Sequence, residues 1–67
     1  MDVVVYMEKT GLKVGQISPD GKVSGDSLFV KTVDRVIKNH GLDPKNEKDR
    51  VNIAKIAGGS YSIVRME

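Results

Sequence analysis

The sequence predicts a small α+β domain, an antiparallel sheet with a helix packed on one face, and three observations carry that expectation. The turn signature Ser18-Pro19-Asp20-Gly21-Lys22 lies between two apolar-alternating segments. Behind a helix-start signal at Asp26-Ser27, apolar side chains recur at helical spacing. Residues 2–8 are apolar on both alternation sets, as a strand interior to its sheet would be.

Val3, Val5 and Met7 form one set of the first strand, and Val4 and Tyr6 the other. Lys9-Thr10-Gly11 can then turn the chain into a second strand, Leu12 to Ile17. Ile17 falls on the opposite parity from Leu12 and Val14, so a bulge is expected near Gly15. Pro19 pre-sets φ for the first central position of a type I turn, and Asp20 suits the second. Gly21 supplies the left-handed residue of a three-residue hairpin.

Asp26 and Ser27 are candidate N-caps for a helix whose buried stripe is Phe29, Val30, Val33, Val36 and Ile37. Lys31, Asp34, Arg35 and Lys38 take its outer face, and Gly41 ends it as a left-handed residue with Leu42 folding back as the apolar contact. Two readings compete for residues 44–57. A second helix could be capped by Asp43-Pro44 or Asn46, with Val51, Ala54 and Ala57 on one side. Alternatively Arg50 to Ala57 is a strand, joined through Gly58-Gly59 in a hairpin to a last strand within residues 60–66. The strand is preferred, giving the order β-β-β-α-β-β; the alternative is β-β-β-α-α-β.

The 67 residues suffice for one small domain with a marginal core. There is no cysteine, which excludes disulfides and thiolate metal sites and leaves self-association as the natural support. Met1-Asp2 and the short apolar run after it lack the basic start and cleavage site of a signal peptide, and no stretch approaches bilayer-spanning length. The expected location is cytoplasmic, with no membrane partner. Eleven basic and nine acidic residues leave a net charge of +2, spread along the chain. That is too little to mark a nucleic-acid-binding protein.

No constellation of chemistry-bearing residues emerges, so neither a catalytic set, a metal site, a cofactor nor a small-molecule substrate is expected. Gly15 to Val23 departs from a phosphate-binding loop in glycine spacing, and Val23 stands where a hydroxyl would bind Mg²⁺. His40, the sole histidine, suits the carbonyl end of a helix. Gly25-Asp26-Ser27-Leu28-Phe29 lacks the second glycine of a nucleophile elbow. The oxygen-rich run Asp43, Asn46, Glu47 and Asp49 lacks the central glycine of a Ca²⁺ loop.

What remains is binding. The first expectation is a non-enzymatic module of regulatory, inhibitor or adaptor type that meets a protein partner, or a second copy of itself, through a sheet edge or helix face. The second is a nucleic-acid-binding protein. It would use Lys31, Arg35 and Lys38 against phosphates and, if Tyr6 and Tyr61 share a sheet face flanked by Lys13 and Arg65, an aromatic platform. The passage from Gly15-x-Ile17-x-x-Asp20 through Gly25-Asp26-Ser27-Leu28 into the helix is similar to the strand-to-helix passage of HicB-type antitoxins, over less than half the chain. The last third shows nothing of that family's DNA-binding domain. The resemblance implies a protein partner in preference to a substrate.

Replacing Gly21 by Val is expected to lower stability by about 1–2 kcal/mol, the cost of a left-handed backbone for a residue with a Cβ. An unchanged denaturation midpoint would show that residue 21 is not left-handed.

Overall fold

Six elements follow one another in the computed structural model, which describes residues 1–67: β1 (Val3–Met7), β2 (Lys13–Ile17), β3 (Val23–Gly25), α1 (Ser27–His40), α2 (Glu47–Gly58) and β4 (Ser62–Met66). The strands form one antiparallel sheet in the order β3-β2-β1-β4, and both helices pack on the same sheet face. The α+β class is as expected, and the order is β-β-β-α-α-β, so the preferred strand over residues 50–57 is replaced by a helix.

β1 is interior, as its double apolar pattern requires. It pairs with β2 on one side and β4 on the other, and Val3, Val4 and Val5 are all buried. Val3, Val5 and Ile17 face the helices and meet Phe29, Val33 and Val36 of α1 and Ile53 and Ala54 of α2. The expected bulge is present: Val5 opposes Gly15 and Tyr6 opposes Lys13, which leaves Val14 as the extra residue. Gly15 is needed there for a second reason. Phe29 lies directly on it, and a Cβ at residue 15 would stand 2.4 Å from Phe29 Cδ2 and 2.6 Å from the Ser24 carbonyl oxygen.

The β2–β3 hairpin has the predicted turn. The Gly21 N–H donates to the Ser18 carbonyl (2.8 Å), the Ser18 N–H donates to the Lys22 carbonyl (2.9 Å), and Gly21 has φ +89°. The Ser18 hydroxyl and the Lys22 N–H both donate to the Asp20 carboxylate, and they hold its pKa below the usual carboxylate value. α1 ends as expected: Gly41 is left-handed, its N–H and that of Leu42 both donate to the Ile37 carbonyl, and Leu42 packs on the core. Its start differs. Asp26 occupies the N-cap position and its carbonyl accepts from the Val30 N–H, but its side chain makes no capping bond, and Ser27 is already the first helical residue.

α2 forms because its start is saturated with acceptors. The Asn46 side chain accepts from the Asp49 N–H, the Asp43 carboxylate accepts from the Lys45 N–H, and the Asp49 carboxylate accepts from the Asp43 N–H. The oxygen-rich run is thus a helix cap. Gly58-Gly59, read as a hairpin turn, instead ends the helix, with the Gly59 N–H donating to the Lys55 carbonyl (3.1 Å).

Within α2, Arg50 sits at a core position with 5 % of its surface exposed. One guanidinium nitrogen donates to the carbonyl of Pro19 in the hairpin turn (3.2 Å) and to that of Pro44 in the α1–α2 connection (3.1 Å). No carboxylate pairs with it. Burying a charge is costly unless it is hydrogen-bonded, and these two carbonyls offset part of that cost at one nitrogen while the buried Nε has no partner. In return Arg50 ties the hairpin tip to the second helix, where Gly21 already packs beside Pro44 and Lys45.

Arg50→Ala is expected to lower stability by about 3 kcal/mol, because hydrogen bonds to charged groups contribute about 1.5–3 kcal/mol each and both carbonyls lose their donor. Arg50→Lys should recover only part of this, since one ammonium lacks the planar fork. Urea denaturation would read the loss as a lower midpoint at unchanged slope.

Candidate partner-binding surface

Three kinds of surface remain outside the core: the helix-free face of the sheet, the outer face of α1, and a hollow at one end of the molecule.

On the helix-free face, β1 and β4 bring Tyr6, Arg65 and Glu67 together. The Tyr6 hydroxyl donates to Glu67 Oε2 (2.5 Å), and the Arg65 guanidinium carbon stands 6.0 Å from the Tyr6 ring centroid. Beside them Lys13 donates to Gln16 Oε1, and Gln16 donates to Asp2 Oδ2 (3.1 Å). Val4 is buried beneath this polar layer, between Gln16 and Arg65 of the neighbouring strands. The hydrogen bond to Glu67 raises the Tyr6 pKa above its ordinary value; burial and the Glu67 charge add to this, and Arg65 opposes it.

Tyr6 and Tyr61, which a stacking platform would need side by side, line different recesses. Tyr6 lines a recess with Gly11, Ile63 and Arg65, whereas Tyr61, three-quarters exposed, lines another with Met7 and Lys9. Glu67 and Asp2 lie on the same helix-free face, bonded to Tyr6 and Gln16. On α1, Lys31, Arg35 and Lys38 are exposed as predicted, and Lys38 pairs with Asp34 (3.0 Å). His40 is exposed in the last turn of α1, and no group of three His, Asp or Glu side chains is placed to hold a metal ion. Pro19, Asp20, Gly21 and Gly41 serve the turn and cap described above.

The hollow was not anticipated. It has a volume of about 520 Å³ and opens between the β1–β2 turn, the start of α1 and the end of α2. Phe29, Val14 and Ala57 line it, and Leu28 (73 % exposed), Leu12 (67 %) and Met7 (44 %) stand around it. Asp26 and Lys13 also line it, so the carboxylate that does not cap α1 stands beside the hollow. A partial signal was present in the sequence, since Leu28 falls outside the apolar stripe of α1; Leu12, expected as the first residue of the second strand, lies just before β2.

No helix is long and apolar enough to cross a membrane. Comparison with protein-family models, with curated proteins and with solved structures finds no match.

The Tyr6–Glu67 bond can be read by optical titration of the two tyrosines. A raised pKa favours the protonated phenol in the folded state. Its stabilisation is therefore present below the ordinary tyrosine pKa and is lost as pH rises through the folded value. Tyr6 should ionise at higher pH than in Glu67→Ala, which removes the acceptor, and a midpoint unmoved by that substitution would exclude the bond in solution.

Proposed function

We propose that this protein is a non-enzymatic protein-binding module whose contact site is the apolar hollow around Leu12 and Leu28. One observation carries the reading. Only nine hydrophobic residues are buried, yet two leucines are left more than 60 % exposed, and they stand around the same concavity over Phe29. A domain with so little apolar surface to bury would gain stability by tucking these side chains in. Leaving them in water is consistent with selection for contact with another molecule.

The partner chemistry follows from the lining. Large side chains of a protein partner would enter between Leu12, Leu28 and Met7, while Asp26 and Lys13 supply polar contacts beside it. Burying one leucine-sized side chain is worth about 1.5–3 kcal/mol, so a partner that covers both leucines has a usable driving force. The nucleic-acid reading is weaker because, of the cations it needs, Lys38 is paired with Asp34, and the remaining basic residues of the α1 outer face, Lys31 and Arg35, are too few for a phosphate-binding patch.

The test is capture of binding proteins from source-cell extract by the tagged chain, with and without nuclease. We expect a stoichiometric protein that survives nuclease and is lost with Leu12→Asp or Leu28→Asp. Both positions are exposed, so both variants should fold with unchanged far-ultraviolet circular dichroism. Equal capture by wild type and the two variants would overturn the hollow as the site. Recovery that disappears with nuclease would favour nucleic acid.

A further inference from the structure

The two edges of the sheet are not alike. β3 is three residues long and ends at Gly25, whose backbone turns to φ +126°, so it offers little to a further strand. β4 is a regular five-residue strand, Ser62–Met66, with no bulge in its pairing to β1 and neither Pro nor Gly. It carries none of the usual devices that blunt an edge, save the exposed Arg65 on its helix-free face.

Its free groups can be assigned. Asp2 and Glu67 exchange both backbone bonds (2.6 and 2.8 Å), and the Glu8 N–H donates to the Tyr61 carbonyl (2.9 Å). In an antiparallel ladder of unbroken register, bonded residues alternate, so Tyr61, Ile63, Arg65 and Glu67 turn their backbone groups toward β1. Ser62, Val64 and Met66 turn theirs outward. Their side chains lie on the helix side, half-buried, while Ile63 and Arg65 are exposed on the other face.

We infer that β4 pairs antiparallel with β4 of a second copy, with Val64 opposite Val64 on the two-fold axis, making one continuous sheet across a homodimer. The register is chosen by chemistry. With Val64 on the axis, Ser62 bonds to Met66 of the second copy and Val64 to its counterpart, so every outward N–H and carbonyl of the strand is used. On the helix-free face Ile63 then opposes Arg65 of the second copy, which can lay its aliphatic stem on the isoleucine. Tyr61 opposes Glu67, a hydroxyl against a carboxylate. Shifting the axis to residue 65 sets Arg65 against Arg65, and shifting it to residue 63 leaves Met66 unpaired.

The helix layer agrees. The start of α2 lies near Met66, across a recess of about 380 Å³ lined by Glu47, Lys48, Val51 and Asn52, and its end at Gly58 approaches Ser62. The two-fold therefore sets the acidic start of α2, with Glu47 and Asp49, toward the Lys55 end of the same helix in the second copy. This surface is separate from the hollow at Leu12 and Leu28.

Sedimentation velocity over a range of concentrations tests the inference. The expected result is a species of twice the 7.3 kDa chain mass, converted to the single-chain mass by Val64→Pro. Proline at residue 64 removes only an outward N–H and so costs no bond to β1. A wild-type chain that stays single throughout, or a dimer that survives in folded Val64→Pro, would overturn the inference. Should that variant not fold, the register decides. Ile63→Cys and Arg65→Cys, mixed and oxidised, should give the mixed disulfide well ahead of either variant alone. A cross-link yield indifferent to the mixture overturns it. The contact at Leu12 and Leu28 is judged separately, by capture with Leu12→Asp and Leu28→Asp, which leave β4 untouched.

Discussion

Arg50 donates to the carbonyls of Pro19 and Pro44, and through those two bonds a hairpin turn and an interhelical connection become one structure. The arrangement is needed because the core is small. Val3, Val5 and Ile17 of the sheet, with Phe29, Val33, Val36, Ile53 and Ala54 of the helices, are the buried cluster that joins the two layers. A domain of this size has little stability to spare, and the hairpin tip contributes no apolar side chain to that cluster. Polar bonds to a buried cation hold in place what hydrophobic contact does not reach. The requirement runs both ways, since the guanidinium would be costly to bury without those carbonyls.

The same scarcity shapes the rest of the molecule. α1 can approach β2 closely only because residue 15 is glycine, which lets Phe29 lie on the bare backbone. With the sheet covered on one face alone, Val4 on the other is sheltered by hydrogen-bonded polar neighbours and by Arg65 spread over Tyr6. Leu12, Leu28 and Met7 escape this economy altogether. Their exposure at one site carries the functional reading, because nothing in the fold requires them to face water.

Much of the architecture was legible in local residues. The Pro19-Asp20-Gly21 turn, a bulge near Gly15, the interior position of β1 and the Gly41 cap each follow from preferences of residue type and alternation that act within a few positions of the chain. Residues 50–57 suggest a strand because Gly58-Gly59 and the alternating residues after them resemble a two-residue hairpin, whereas in the structure those glycines end a helix. Arg50, a residue type foreign to a helix's apolar face, is held there by contacts 31 and six positions away. Asp26 shows the reverse case: the residue type suits an N-cap, yet its side chain does not take that role.

The candidate surfaces were less legible, since they depend on what distant segments leave uncovered. Lys31, Arg35 and Lys38 could be placed outside from helical spacing, and they are. That Tyr6 meets Arg65 and Glu67, and that Leu12 and Leu28 line one hollow, is decided by the return of β4 beside β1 and by the seating of α1 on β2. The sequence by itself determined the local turns, the Gly41 cap, the first helix and the α+β class, because those follow from backbone sterics and side-chain periodicity. Only the tertiary structure decided that Arg50 is buried, which strand forms the open edge and which apolar residues stay in water, because each depends on partners brought together by folding.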